Sequence, residues 1–206
     1  MENNLIINVG RQVCAGGLEI GRLLAKEFNA NYYDRELLNL AARESGFSEE
    51  FLKRSDERKG FLRFLHVPST NSMGGEHFYQ NNFSQESLFK FQSDAIIKAA
   101  QKSSCVFVGR CADYVLRDFP RVVNIFITAS LEARAALFMR EKGVDHDEAV
   151  RRIGHIESQR ASYYNYYTGK KWGHASSYDL CIDSTILGPE DTAMLIAEFI
   201  KRRFNL

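Results

Sequence analysis

An excess of charge is the first thing this sequence lacks: 27 Lys and Arg stand against 26 Asp and Glu, a formal net charge of +1. No global field therefore draws the chain to nucleic acid or to an anionic membrane, and any anion site must be local. No apolar run approaches the ~20 residues needed to span a bilayer, and the chain does not open with a basic stretch and a long apolar run. The four cysteines, Cys14, Cys105, Cys111 and Cys181, form no CxxC pair. In their apolar or Gly-rich surroundings they read as reduced thiols of a cytoplasmic protein, without disulfides. The histidines at 66, 77, 146, 155 and 174 show no H-E-x-x-H pattern, no Cys/His pairing and no triad with Ser or Cys. Zinc and nucleophile readings are accordingly the weaker ones.

What is present is a chain of 206 residues, 45% hydrophobic and 26% charged, which fits one globular domain over residues 1–206. Leu5 to Val9 is a short apolar run ending in Gly10, followed by Ile20, Leu23, Leu24 and Phe28 at helical spacing. Tyr32 and Tyr33 mark a second strand, and Leu37, Leu38, Ala41 and Ala42 share one face of a helix expected over Glu36 to Glu44. From Ser45 to Gln85 the pattern degrades, with the turn-rich stretch Ser69 to Gly75 inside it, and this segment reads as a mobile insertion. Regular structure resumes with a helix near Leu88 to Lys102 and strands at Cys105 to Val108 and Val122 to Thr128. Helices follow at Leu131 to Lys142 and Asp147 to about Gln159, then a strand at Leu180 to Ile182 and a helix from Glu190 to Arg203. The strands are nearly continuous apolar runs, the mark of a parallel sheet buried on both faces. Strands alternating with helices give a doubly wound α/β sheet.

Gly10-Arg-Gln-Val-Cys-Ala-Gly-Gly-Leu-Glu-Ile-Gly21 links the first strand to the first helix. At such a junction free N–H groups and the helix dipole favour an anion. Gly16 and Gly17 would let a phosphate approach the amides, or the glycines serve a structural turn alone. The spacing departs from G-x-x-x-x-G-K-[ST]: with Gly16 as the second glycine, Arg11 replaces the first, Gly17 the lysine and Leu18 the hydroxyl residue. Glu19 follows and reaches magnesium, if at all, through its carboxylate; Glu19 and Asp183 could equally cap or pair locally. A dinucleotide fingerprint is not met. Arg110 directly follows a buried strand, at the carboxyl end of the sheet where such folds bind ligands; it serves either a phosphate or an ion pair with Asp113 or Asp34. Ser158 to Gly173 holds Arg160, Lys170, Lys171, four tyrosines and Trp172 with no acid. That surface could close over a nucleotide, bind single-stranded nucleic acid, or pack as a tyrosine-rich segment or subunit contact.

Gly10-Arg-Gln, Ala15-Gly-Gly, Ile20-Gly, Tyr33-Asp-Arg35, Val108-Gly-Arg-Cys-Ala-Asp113, Tyr163-Tyr-Asn-Tyr-Tyr-Thr-Gly169 and Asp183-Ser184 together resemble the cytidylate kinase-like family, over nearly the whole chain outside Ser45 to Gln85. The resemblance implies a three-layer α/β/α P-loop kinase fold with a mainly parallel sheet, an acceptor-binding insertion at 45–85 and a lid at 143–173. It implies ATP and Mg2+ as cofactors and a nucleoside monophosphate, CMP-like, as acceptor. Arg11, Gln12, Ala15, Gly16, Gly17, Leu18 and Glu19 would surround the donor phosphates, with Glu19 toward the metal. Asp34, Arg35, Arg110 and Asp113 would form the acceptor pocket, although Cys111 stands where the family carries an Asp after its Gly-Arg pair. Arg160 would reach the transferred phosphate from the lid, and Arg11 or Arg110 would supply the charge that the missing lysine normally brings, so Arg110, Arg160 and Arg11 are the catalytic candidates. Rival readings are a non-catalytic nucleotide-binding or regulatory protein with this fold, favoured by the missing lysine, and a kinase for another small acceptor. A nucleic-acid-binding role ranks below both, since neutral overall charge opposes it. The expected partners are small-molecule nucleotides, with no nucleic acid and no membrane, and a homo-oligomer is left open.

Overall fold

A computed structural model describes residues 4–34 and 76–206, the side chains of 76–85 and 87 apart. The chain divides into two compact units, Met1–Arg35 with Ile97–Leu206, and Glu36–Ile96. The first unit carries the sheet. Its elements are β1 (Ile6–Arg11), α1 (Gly17–Glu27), β2 (Asn31–Tyr33), the end of α2 (Glu76–Lys102), β3 (Cys105–Val108) and α3 (Ala112–Val115). Then come β4 (Val122–Thr128), α4 (Leu131–Lys142), α5 (His146–Thr168), β5 (Leu180–Asp183) and α6 (Gly188–Phe204).

The strands run in the order β2-β3-β1-β4-β5, all parallel. With β1 in the centre, Ile7 pairs with Val106 on one side and Val123 on the other. The continuous apolar runs of β1, β3 and β4 are buried because helices cover both faces. Alternation divides them. Ile7, Val9, Val106, Val108, Val123, Ile125 and Ile127 pack beneath Ile20 and Leu24 of α1 and Ile196 and Ile200 of α6. On the other face Asn8 donates a hydrogen bond to Asn124 Oδ1 at 2.9 Å, beside the buried Phe107 and Phe126. The architecture is a three-layer α/β/α fold with a doubly wound, parallel sheet.

Two helices differ from the sequence expectation. α2 begins at Glu76, twelve residues before Leu88, and takes in the last part of the segment read as an insertion. α5 does not stop near Gln159 but runs nine residues further, through the tyrosines to Thr168, where Gly169 closes it at φ 68°. Tyr, Asn and Ser are modest helix formers, so this extension rests on tertiary contacts rather than propensity. The helix expected at Glu36 to Glu44, Arg35, and the 45–75 part of the insertion lie outside the described residues.

Helix α1 approaches the sheet closely at Gly21, where an added Cβ would stand 2.9 Å from Val108 Cγ2 and 3.2 Å from the Tyr32 ring. Gly21→Leu should therefore cost about 1–3 kcal/mol by overpacking. Gly154→Ala, on the exposed side of α5 with open space around it, should instead stabilise by roughly 0.5–1 kcal/mol. Urea unfolding of both variants checks the contrast.

Candidate active site

β1 delivers the chain to the carboxyl end of the sheet, and residues 12–16 carry it over to α1. The loop is held from several directions. Gln12 N–H donates to Ile127 O at 3.0 Å, while Gln12 Oε1 accepts from Ala129 N–H at 3.2 Å. The buried Ser184 hydroxyl donates to Ala15 O at 3.0 Å. Gly16 caps α1 in the left-handed region at φ 73°, with no side chain capping the helix. Among the described residues no protein acceptor meets the amides of Cys14 to Glu19. Six consecutive donors at a helix N-terminus form a cradle for an anion.

A guanidinium lies beside that cradle. Arg11, the last residue of β1, folds its side chain across Gly17 and Gly109. An added Cβ on Gly17 would stand 2.5 Å from Arg11 Cβ and 2.7 Å from its Cγ, and one on Gly109 would collide with Nη1. Burial first, then the charges of Arg160 and Arg110, lower the Arg11 pKa from its ordinary 12.5 to about 9, with Tyr32 and Asp34 opposing. Among the described residues no carboxylate makes an ion pair with Arg11.

The other two arginines arrive from different elements. Gly109, Arg110 and Cys111 are successively left-handed, at φ 81°, 61° and 56°. Two non-glycine residues in that region cost of order 1–3 kcal/mol each and cluster at functional turns. The turn directs Arg110 over the Tyr163 ring, 5.7 Å from its centroid. Burial pushes the Tyr163 phenol up to about 12, so it faces the guanidinium uncharged. Arg160 Nη1 donates to Arg11 O at 3.0 Å from α5. One turn earlier Glu157 Oε1 accepts from Val13 N–H at 3.1 Å and from Arg134 Nη1 at 2.8 Å.

The remaining predicted residues divide. Asp34 directly follows β2, with its Oδ2 3.9 Å from Arg22 Nη2, and its charge reaches Arg11. Asp113 is buried and accepts from the Tyr164 hydroxyl at 2.7 Å, with Lys170 Nζ 3.6 Å away. Leu18 and Glu19 are exposed in the first turn of α1. Asp183 is exposed and accepts from Thr185 N–H at 2.7 Å; the Thr185 side chain first, then that amide, hold its carboxyl below the usual range. Among the described residues no group of three His, Cys, Asp or Glu stands together as a metal site. The aromatic segment packs inward at two points: Tyr164 stacks with Tyr178, and Trp172 meets Phe126 edge-on at 5.2 Å. Glu157 and Arg134 escaped sequence reading, as did the contacts of Tyr164 and Ser184, because no local motif marks a contact made across more than twenty positions of chain.

The model of the cytidylate kinase-like family matches residues 6–186, a span that takes in the loop, the Gly-Arg turn and α5. This chain belongs to that family. It is 29% identical over 110 residues to a cytidylate kinase of Pyrococcus abyssi, 53% of this chain and 59% of that one. It is 25% identical over 107 residues to the cytidylate kinase of Ignicoccus hospitalis, 52% of this chain and 59% of that one. The matches thus span little more than half the length of those relatives. Among solved structures, an uncharacterised protein from Eubacterium ventriosum shares the fold with a TM-score of 0.73 at 24% identity, covering 96% of this chain and 99% of that one. Shikimate kinase from Bacteroides thetaiotaomicron shares it at 0.53 and 13% identity, with 96% and 98% covered.

The Arg11 shift fixes a sign. For a cation lowered in the fold, the charged form is penalised at every pH below about 9, and the penalty falls away between there and the ordinary guanidinium range. An anion bound beside it removes the penalty at neutral pH. Arg11→Met should accordingly raise anion-free stability by about 1 kcal/mol, roughly 2–4 °C at this size, and reduce without abolishing the stabilisation by ATP or inorganic phosphate. Calorimetric melts at pH 7 with and without each anion check both parts.

Proposed function

We propose that this member of the cytidylate kinase-like family is an ATP-dependent phosphotransferase acting on a nucleoside monophosphate, CMP or a close analogue. The observation that carries the reading is the gathering of the Arg110 and Arg160 guanidiniums around Arg11, whose side chain lies against Gly17 among the free amides of residues 14–19 and is unpaired by any described carboxylate. A site so charged is electrostatically incomplete without a multiply charged anion. Phosphoryl transfer asks a protein chiefly to align donor and acceptor and to spread the charge of the transferring group.

On this reading the amides of Ala15 to Glu19 hold the donor phosphates, and Arg11 with its neighbour Gln12 borders them from the strand side. Arg110 and Asp34, with Arg35, take the acceptor, and Arg160 brings charge from the lid region at 143–173. Asp113 acts on the acceptor pocket from behind, by fixing Tyr164 and Lys170. Magnesium, which in such reactions draws most of its ligands from phosphate oxygens and water, asks few carboxylates of the protein. Glu19, and Asp183 beside the Ser184 that holds the loop, are the acids suited to it. The reaction and its substrates belong in the cytoplasm, and neither nucleic acid nor membrane is required; no helix among the described residues is long and apolar enough to cross one.

A second reading has one observation in its favour: residues 10–21 contain no lysine. A nucleotide-binding protein without catalysis would tolerate that loss. Arg11→Ala and Arg110→Ala separate the two. In a kinase each should lower kcat by about 100-fold or more while ATP affinity falls much less, since charge placed on the transferring group acts mainly in the transition state. The measurement is transfer from ATP with magnesium to a panel of nucleoside monophosphates and other small acceptors, alongside calorimetric ATP binding. ATP binding without transfer to any acceptor establishes the binder instead.

A further inference from the structure

We propose that Glu157 is a positioning residue that clamps the phosphate loop to α5, so that Arg11 and Arg160 keep their places whether or not nucleotide is bound. The inference rests on the kinase reading of the site. Val13 is the centre of the clamp. Its side chain is buried in the apolar cluster that joins α4 and α5, with Ala135, Phe138, Ala149 and Ile153, and its N–H donates to Glu157 Oε1 at 3.1 Å. One turn along the same helix Arg160 donates to Arg11 O at 3.0 Å. Two residues of one helix thus hold two backbone groups of one loop, two positions apart.

A carboxylate on a phosphate-loop amide admits a second interpretation: a stand-in anion that ATP must displace. Arg134 decides between them. Its side chain is only 7% exposed, its Nη1 lies 2.8 Å from Glu157 Oε1, and its Nε donates to Ala129 O at 2.9 Å. Withdrawing Glu157 would leave that guanidinium buried and uncompensated, a severe penalty. Arg134 also cancels the negative charge that Glu157 would otherwise present to a nucleotide. The carboxylate is therefore a fixed strut. Ala129, which accepts from Arg134 through its carbonyl, donates through its amide to Gln12, so the strut and the loop share an anchor at the end of β4.

The test compares Glu157→Ala and Glu157→Gln with the parent chain by amide hydrogen exchange at Val13 and by ATP calorimetry. Glu157→Ala should speed Val13 exchange by about 10-fold or more and weaken ATP binding to a similar degree, whereas Glu157→Gln, which keeps an acceptor, should stay within about 3-fold of the parent in both. If Glu157→Ala does not fold, Arg134→Met combined with Glu157→Leu removes the buried pair while keeping its volume, and should show the same release of Val13 in a folded protein. Tighter ATP binding in a glutamate variant makes Glu157 a displaceable anion and overturns the proposal. So does unchanged Val13 exchange in folded Glu157→Ala or in the folded Arg134→Met, Glu157→Leu double variant. If the parent binds no ATP, the kinase reading fails, and the Val13 exchange comparison alone decides the role of Glu157.

Discussion

A guanidinium carried at the end of a central strand has to lie against the turns that follow its own strand and the next, and those turns must give up side chains to admit it. That is the position of Arg11. Its stem lies where Gly17 has no Cβ and its head where Gly109 has none. The left-handed run from Gly109 to Cys111 follows from the same requirement, since the chain leaving β3 must turn away from Arg11 at once while keeping the Gly109 amide on Val9 O at 3.1 Å. Gly17 thus takes on a meaning different from that of a phosphate-facing glycine: it makes room for an arginine.

The parts of the fold legible in the sequence are those that depend on local pattern. β3 and β4 stand at the residues where their apolar runs begin and end, and α4 at its helical stretch, because a doubly covered parallel sheet leaves no polar alternation to confuse the reading. Arg11, Arg110 and Arg160 were legible as cations in a strand-end loop, a strand-end turn and a helix. Their meeting was not, because three charges from β1, the β3 turn and α5 are joined by topology rather than by spacing. Glu157 was hidden for a further reason. On a helix with Glu148, Arg151 and Arg152 it looks like one more member of a solvated charged face, and only the burial of Arg134 distinguishes it.

The extension of α5 shows the same limit from the side of packing. Composition marks 158–173 as cationic and aromatic, which describes a surface. In the fold one face of that stretch turns inward: Tyr164 is 6% exposed and donates to a buried carboxylate, and Asn165 accepts from the Trp172 amide. A buried acid is tolerable because Tyr164 donates to it and Lys170 stands 3.6 Å away. Opposite, Tyr166 is 68% exposed. The helix therefore has one face that orders the Gly-Arg turn through Tyr163 and Asp113 and another left to solvent.

The absence of a lysine in the loop then has a physical reading in terms of where a cation can be kept charged. Arg11 is desolvated and faces two other guanidiniums, and even so its pKa of about 9 leaves it protonated at neutral pH. A lysine in that place would start from ~10.4, and a depression of similar size would bring it to roughly 7, half of it neutral where the charge is needed. The delocalised, weakly hydrated guanidinium is the side chain that survives such surroundings as a cation. Charge supplied from the end of β1 also comes on a strand hydrogen-bonded on both sides, rather than from the first turn of α1, whose amides meet no acceptor among the described residues. A site that gathers three cations thus favours arginine over lysine at its centre and glycine over any other residue at the two positions the arginine crosses.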